Sequence, residues 1–396
     1  MPSNPYARHW SLEPGLAFLN HGSFGACPRP VLETQQRLQQ ELERQPVEFL
    51  ARQLAGRLDA ARERLAAFLG ADPAGLAPVP NATTGVNAIL RSFDFGPGDE
   101  LLATDQVYAA CRNALDYVAQ RSGARVVTVR LPFPCQSPAS IVRSILDGVT
   151  SRTAILLCDH VASPTGMILP IAEVVGECEK RGIDTLIDGA HAPGMLPLEL
   201  DALGSAFYVG NCHKWICAPK GAAFVYARAD RRERLRPLTI SHGATRRRPG
   251  RSRFHDEFDW TGTHDPTAFL SVPAAIDFVG SLVPGGWPGV RERNRGLALE
   301  ARTMLAAALG VDPPCPDEMI GSLVSLPLPD GGASGPRFAL DTDPLQELLL
   351  HEHRIEVPVV PWPSPPRRLL RISVQLYNDL EQYERLARAL PAALLS

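Results

Sequence analysis

Short apolar runs alternate with stretches of helical spacing through the middle of the chain. Apolar segments bounded by Gly, Pro, Asn or Asp are expected as strands at 100–103, 125–131, 153–158, 183–187 and 206–209. Helical spacing predicts helices after Val107, over 138–148 and over 170–181, the last with a proline at its start. Strand and helix alternate from 76 to 227, which indicates the α/β class: a mostly parallel sheet with helices on both faces. Before this region, residues 31–70 read as one long helix or two, broken near Pro46. Residues 1–30, rich in Pro, Gly and Asn, read as an extended arm. Past Arg228 the pattern changes. Residues 231–263 are arginine-rich and irregular, a helix runs from near Pro266 through Val279, and 284–289 reads as a linker. Helix, strand (322–326), helix (344–353), strands near Glu356 and Leu369 and a last helix follow. The expected organisation is an arm (1–30), a large domain (31–283) and a smaller α+β C-terminal domain (284–396).

Two of the apolar runs end in chemistry. One closes on Asp188, and the other leads through Gly210 and Asn211 to His213 and Lys214. Each therefore delivers charge at a strand's carboxyl end, the edge where open α/β sheets bind ligands. Composition isolates the amine, because the chain has three lysines against 37 arginines. Lys180 lies at the polar end of a helix and Lys220 in a turn; Lys214 alone follows a strand. Arginine stays charged and forms no imine at ordinary pH. A carboxylate and an amine at neighbouring strand ends suit pyridoxal 5'-phosphate (PLP). The lysine forms a Schiff base and the carboxylate keeps the pyridinium nitrogen protonated.

Further polar residues interrupt the apolar pattern at other expected loop positions. Asn20 and His21 in F-L-N-H-G-S-F-G make either a structural loop or one that faces a substrate. A helix expected to start near Thr83 offers free N–H groups and the hydroxyls of Thr83 and Thr84 as an anion cup, or only a capped helix start. Tyr108, in the first turn after Val107, is either a ring to stack on the pyridine or a core tyrosine. Ser163 and Thr165 follow the strand at 153–158 and share the edge of Asp188. Trp260, Thr261, Gly262 and Thr263 form a polar knot, or simply a helix start capped by Asp265. Arg371 sits on an otherwise apolar strand and needs a carboxylate, internal or from a substrate. Arg246, Arg247 and Arg248 read as a solvated loop or an anion clamp.

Bulk composition excludes several classes. A net charge of -3 gives no reason to expect nucleic acid or an anionic membrane as partner. No apolar run approaches the ~20 residues of a membrane helix, and the amino terminus lacks a signal core. The eight cysteines are scattered without C-x-x-C, and Cys212, His213 and Cys217 make a poor zinc set, so no metal and a reducing cytoplasm are expected. The absence of G-x-G-x-x-G and of a P-loop lysine disfavours a nucleotide-dependent α/β enzyme.

N-A-T-T-G, D-H-V-A-S-P-T-G, D-G-A-H-A-P-G, G-N-C-H-K, W-T-G-T and R-I-S-V-Q-L-Y-N, in that order, resemble the class V aminotransferase family of fold-type I PLP enzymes. Within it, F-L-N-H-G-S-F-G adds similarity to isopenicillin N epimerase-like proteins. The resemblance implies a seven-stranded, mostly parallel sheet in the large domain and a homodimer with active sites at the subunit interface. It implies Lys214 as the Schiff-base residue, Asp188 at the pyridinium, His191 near the phenolic oxygen with Ser163 close by, and Tyr108 on the ring where many relatives have histidine. Ala82, Thr83, Asn211 and His213 would hold the phosphate, with Thr263 and Gly262 reaching it from the second subunit. Arg371 would bind the substrate's α-carboxylate. One departure is informative: residues 357–370 contain no cysteine, and Cys315 lies far upstream, so desulfurase-type persulfide chemistry is not expected. The implied function is chemistry at an amino acid's α-carbon, with Lys214 as general base and Tyr108 or His21 as candidates for a second acid. Epimerase or racemase, β-eliminating lyase and aminotransferase share their first steps and are not separated; a non-catalytic PLP-binding protein is the rival outside enzymes.

Overall fold

The computed structural model describes residues 4–331 and 341–395, so part of the arm's start and of the C-terminal region falls outside the description. Its twelve strands are β1 (Ala17–Phe18), β2 (Leu76–Val79), β3 (Glu100–Thr104), β4 (Arg125–Val129), β5 (Thr153–Asp159), β6 (Asp184–Asp188), β7 (Phe207–Asn211), β8 (Ala223–Ala227), β9 (Leu323–Pro327), β10 (Ile355–Glu356), β11 (Val359–Pro361) and β12 (Arg368–Ser373). Seven of them form one sheet in the order β2-β8-β7-β6-β5-β3-β4. The pairs from β7 through β6, β5 and β3 to β4 are parallel, and β8 runs antiparallel to both neighbours. Every residue of β3, β6, β7 and β8 is buried. Helices cover both faces, which is why these strands read as unbroken apolar runs rather than alternating ones.

Three features adjust the sequence reading. The 31–70 segment is two helices, Arg29–Arg44 and Leu54–Leu69, joined through a π-helical turn at Glu48–Gln53. The stretch expected to be irregular contains the helix Arg253–Phe258, whose Phe254 and Phe258 pack with Ala77 and Val79 of β2. The expected linker at 284–289 runs into a helix, Trp287–Leu309, because Trp287 is buried and its indole N–H donates to the Ile276 carbonyl at 2.9 Å. A closed-over aromatic with a satisfied polar tip overrides the local Pro-Gly signal.

The C-terminal part is a three-stranded antiparallel sheet, β11-β12-β9, with the helices Trp287–Leu309 and Leu380–Ala393 beside it. β1 pairs in parallel with β10, so the N-terminal segment is stitched to this part. Leu19 N–H donates to Glu356, and Ser373 N–H to the Leu19 carbonyl at 2.8 Å. One apolar cluster runs from Leu156 and Ile187 in the large sheet to Leu370 and Ile372 in the small one. The carboxyl ends of β5, β6 and β7 therefore open toward β12 and the N-terminal loop.

Candidate active site

Adjacent parallel strands place Asp159 and Asp188 side by side, as register partners at the ends of β5 and β6. Both are almost wholly buried. Asp188 accepts the Ala190 N–H at 3.0 Å and the Cys111 S–H at 3.2 Å. Asp159 keeps one carboxylate oxygen buried with no hydrogen-bond partner. Burial raises the proton affinity of both, and the charge of Asp188 raises that of Asp159 further. Two close carboxylates do not both ionise freely. The donors on Asp188 favour its charged form, so Asp159 is the member that keeps a proton.

Lys214 follows β7 on a loop held from three sides. His21 Nε2 donates to the Lys214 carbonyl at 3.0 Å, Cys217 N–H donates to the same carbonyl, and Lys220 Nζ donates to the Gly25 carbonyl. Gly25 has φ +71, and a Cβ there would stand 2.0 Å from the His213 carbonyl oxygen. Only glycine allows the N-terminal loop to lie this close to the lysine loop. The amine itself is 3.1 Å from His191 Nε2. Trp215 Nε1–H donates to His191 Nδ1 at 3.3 Å, and an indole N–H only donates. His191, kept neutral chiefly by burial, therefore carries its proton on Nε2 and presents it to the nitrogen of Lys214. That arrangement suits a neutral amine. Burial, then the charge of Arg371, pulls the Lys214 pKa down to about 7.

Arg371 on β12 reaches across to the large sheet. Nη1 donates to the Ser163 carbonyl at 2.7 Å and its hydroxyl at 3.0 Å, and Nη2 donates to Ser23 Oγ at 3.0 Å. Nε is buried without a partner, and no carboxylate pairs with this guanidinium among the described residues. Burial lowers its pKa to about 10. Tyr108 caps the helix Ala109–Ser122 instead of lying in its first turn, and its side chain is 40% exposed. Its hydroxyl lies close enough to Arg371 for each to shift the other's proton affinity.

At the start of the helix Ala82–Leu90, several expected donors are already engaged. Ala82 N–H donates to Asn211 Oδ1 at 2.9 Å, and both the N–H and the hydroxyl of Thr84 donate to the capping Asn81. Thr84 is thus part of the cap rather than a free hydroxyl donor. The Asn211 amide nitrogen remains for an anion, the Thr83 side chain also meets the Cys111 thiol, and His213 donates its Nδ1–H to Ala222, which leaves its Nε2 as a lone pair. Among the described residues, Gly262 (φ +127) and the exposed Thr263 make no hydrogen bond to these groups. His264 closes on the Gly262 carbonyl, and Arg248 is consumed by the buried Asp256 at 2.7 Å.

Two expectations are corrected. Asn20 and His21 are engaged as structural braces, and neither His21 nitrogen is left to act on a substrate or as a second acid. Asn20 Nδ2 donates to Glu356 and Oδ1 accepts from Ser23, while His21 is fully buried with Nδ1 on Tyr377 and Nε2 on the Lys214 carbonyl. They brace the lysine loop. The residue of that motif that touches Arg371 is Ser23, which the sequence reading passed over. It also passed over Cys111, Trp215 and Asp159. Asp159 carried the same signal as Asp188, an acid at the end of an apolar run.

The residues fit PLP: an amine whose pKa is drawn down to about 7, a buried carboxylate that accepts two hydrogen bonds, and a helix start whose dipole favours a phosphate. Comparison with known proteins agrees. The family model described as Aminotransferase class-V matches residues 25–325. The chain is 38% identical over 394 residues to isopenicillin N epimerase of Amycolatopsis lactamdurans, covering 96% of each. It is 34% identical to putative L-cysteine desulfhydrase 2 of Oryza sativa subsp. japonica, covering 94% of this chain and 84% of the relative. Its fold matches a solved structure of a C-DES mutant with glycine covalently linked to the PLP cofactor, at TM-score 0.79 and 22% identity over 98% and 99% of the two chains.

Proposed function

The chain belongs to the class V aminotransferase family of PLP-dependent enzymes, and from that premise we propose that it exchanges the α-proton of an amino-acid substrate, with epimerisation as the leading outcome. The observation that carries this reading is Arg371, a buried guanidinium with no acid partner among the described residues, close enough to the Lys214 amine to depress its pKa.

Bound PLP supplies an electron sink for charge that develops at the α-carbon. Lys214 would carry the cofactor, Asp188 would face its pyridine nitrogen, and Thr83 and Asn211 would hold its phosphate, since a neutral His213 spends its only N–H on Ala222. Tyr108 would lie against the ring. Arg371, with two nitrogens already anchored on Ser163 and Ser23, would take the substrate's α-carboxylate and so fix which α-bond meets Lys214. Lys214 as a free amine then removes the α-proton, with His191 Nε2, 3.1 Å from its nitrogen in the resting site, placed to orient it. Return of a proton on the opposite face gives the epimer; the Tyr108 hydroxyl, near Arg371, is the group best placed to supply it. The eight cysteines are all buried. Cys315 is held up to about 12 by burial, so no thiolate nucleophile serves this site. Gly262 and Thr263 would complete the phosphate site of a second copy in a homodimer.

A β-eliminating lyase is the second reading, favoured by desulfhydrase relatives at 34% identity over most of the chain. Incubation of the PLP-loaded protein with single amino acids in heavy water separates the two. Inverted product carrying α-deuterium supports epimerisation. Pyruvate with ammonia replaces it by elimination, and a keto acid replaces it by transamination. Lys214→Ala should abolish borohydride fixation of the cofactor; fixation that survives in this variant sinks the assignment of the lysine.

A further inference from the structure

Asp159 is a buried acid with no part in the α-proton chemistry of Lys214. It is 3% exposed, and its Oδ2 has no hydrogen-bond partner. Its place follows from the strand pattern. Side chains alternate along β5 and β6, so Asp159 continues the face of Ile155 and Leu157, and Asp188 that of Leu186. Those three apolar residues share a cluster with Cys111 and Leu115 of the helix Ala109–Ser122, whereas Leu156, Cys158 and Ile187 belong to the cluster on the opposite face. As register partners on parallel strands, the two acids have backbones about 4.8 Å apart and side chains on the one face that this helix covers.

The charged and titratable groups that face Asp159 come from several elements. Asp188 on β6 opposes its ionisation, while the Tyr108 N–H at the helix cap and the Lys214 amine beyond β7 favour it. Cys111 on the helix and Cys158 on β5 are buried thiols, pushed up by burial first and by the acids' charge after it, so both stay neutral. Burial is the larger cause that keeps a proton on Asp159, and the charge of Asp188 is the second. A carboxyl kept only to cap the helix serves best when charged, before the positive end of the dipole. A protonated acid with an idle oxygen, beside a second acid, is arranged instead to lose its proton once that second cause is removed. A cation against Asp188 removes it.

Resting on the assignment of Asp188 to the pyridine nitrogen, we infer that Asp159 and Asp188 together hold one proton in the cofactor-free protein and deliver it to that nitrogen when PLP binds. The O–H bond of Asp159 breaks and an N–H bond forms on the ring, the proton passing by way of Asp188. Both carboxyls are then charged, opposite the pyridinium and beside Lys214. No proton is drawn from solution, so the ring nitrogen is protonated even where solution protons are scarce.

Titration calorimetry of PLP into the cofactor-free protein, in buffers of different ionisation enthalpy, counts the protons exchanged per cofactor. Asp159→Asn keeps the shape of the neutral acid but has no proton to lose, so it should take up about one proton more than wild type. Its affinity for PLP relative to wild type should therefore fall about tenfold per pH unit between pH 7 and 8. In the wild type, the infrared difference spectrum on loading should show the loss of one protonated-carboxyl band, a readout that needs no variant. Equal proton counts in the two proteins, or a wild-type spectrum in which no carboxyl loses its proton, overturn the inference and leave the assignment of Asp188 standing. A protein that binds no PLP overturns both.

Discussion

Replacing Arg371 with methionine distinguishes a residue kept for function from one kept for the fold, because the two roles predict opposite signs in stability. The guanidinium is 5% exposed and its pKa is pulled down to about 10. Against an ordinary value of ~12.5, that drop corresponds to about 3 kcal/mol of discomfort in the charged state, after its hydrogen bonds are counted. The groups it touches are hydroxyls and a carbonyl, not a carboxylate, so removing it strands no buried charge. Arg371→Met is therefore expected to leave the cofactor-free protein as stable as the wild type, or to raise its Tm by a few degrees. At the same time a charge-assisted carboxylate contact worth ~1.5–3 kcal/mol is lost, so KM for the amino acid should rise roughly 10- to 150-fold. Thermal unfolding of the cofactor-free protein and steady-state kinetics of the loaded one are the two measurements. A fall in stability of ~3 kcal/mol or more, with KM within threefold of wild type, would show the arginine to be a structural strut and refute the reasoning.

Two other outcomes follow from the geometry. The Lys214 amine releases its proton at about 7 in the folded chain, whereas an unfolded lysine does so near ~10.4. The unfolded state thus binds more protons between these values, so this residue's contribution to stability rises with pH across that window. The rate of cofactor attachment to cofactor-free protein should likewise climb through pH ~7 and level off above it, as the free amine forms; Lys214→Met should flatten the stability slope, and an unchanged slope would contradict the assigned proton affinity. Gly25→Ala should cost about 2–4 kcal/mol and impair cofactor loading, because its methyl would overlap the His213 carbonyl at a backbone angle that alanine avoids; a variant with wild-type melting and loading would remove that contact from the account.

The expected architecture followed from apolar runs that each lie in a strand covered on both faces, so the pattern along the chain survives into the sheet. Lys214 and Asp188 were legible for a related reason: a charged group at the end of such a run is held by its strand, and the strand's carboxyl end is the site edge. A helix after the linker was legible, but not its start at Trp287 among Pro and Gly residues, since burial of Trp287 against Ile276 decided it. Nor were Asn20 and His21, whose polar atoms looked available only because their partners, Glu356 and Tyr377, lie more than 330 positions away.

The sequence alone determined the layered α/β plan, the scarce lysine and the acid one strand away, because those depend on local periodicity and on residue type. Tertiary structure alone decided that Arg371 has no acid partner among the described residues, that the charge of Asp188 raises the proton affinity of Asp159, and that His191 points its hydrogen at the amine. Each of those facts is a distance between segments far apart in the chain, and proton affinity in a buried site is set by such distances rather than by the residue that carries the proton.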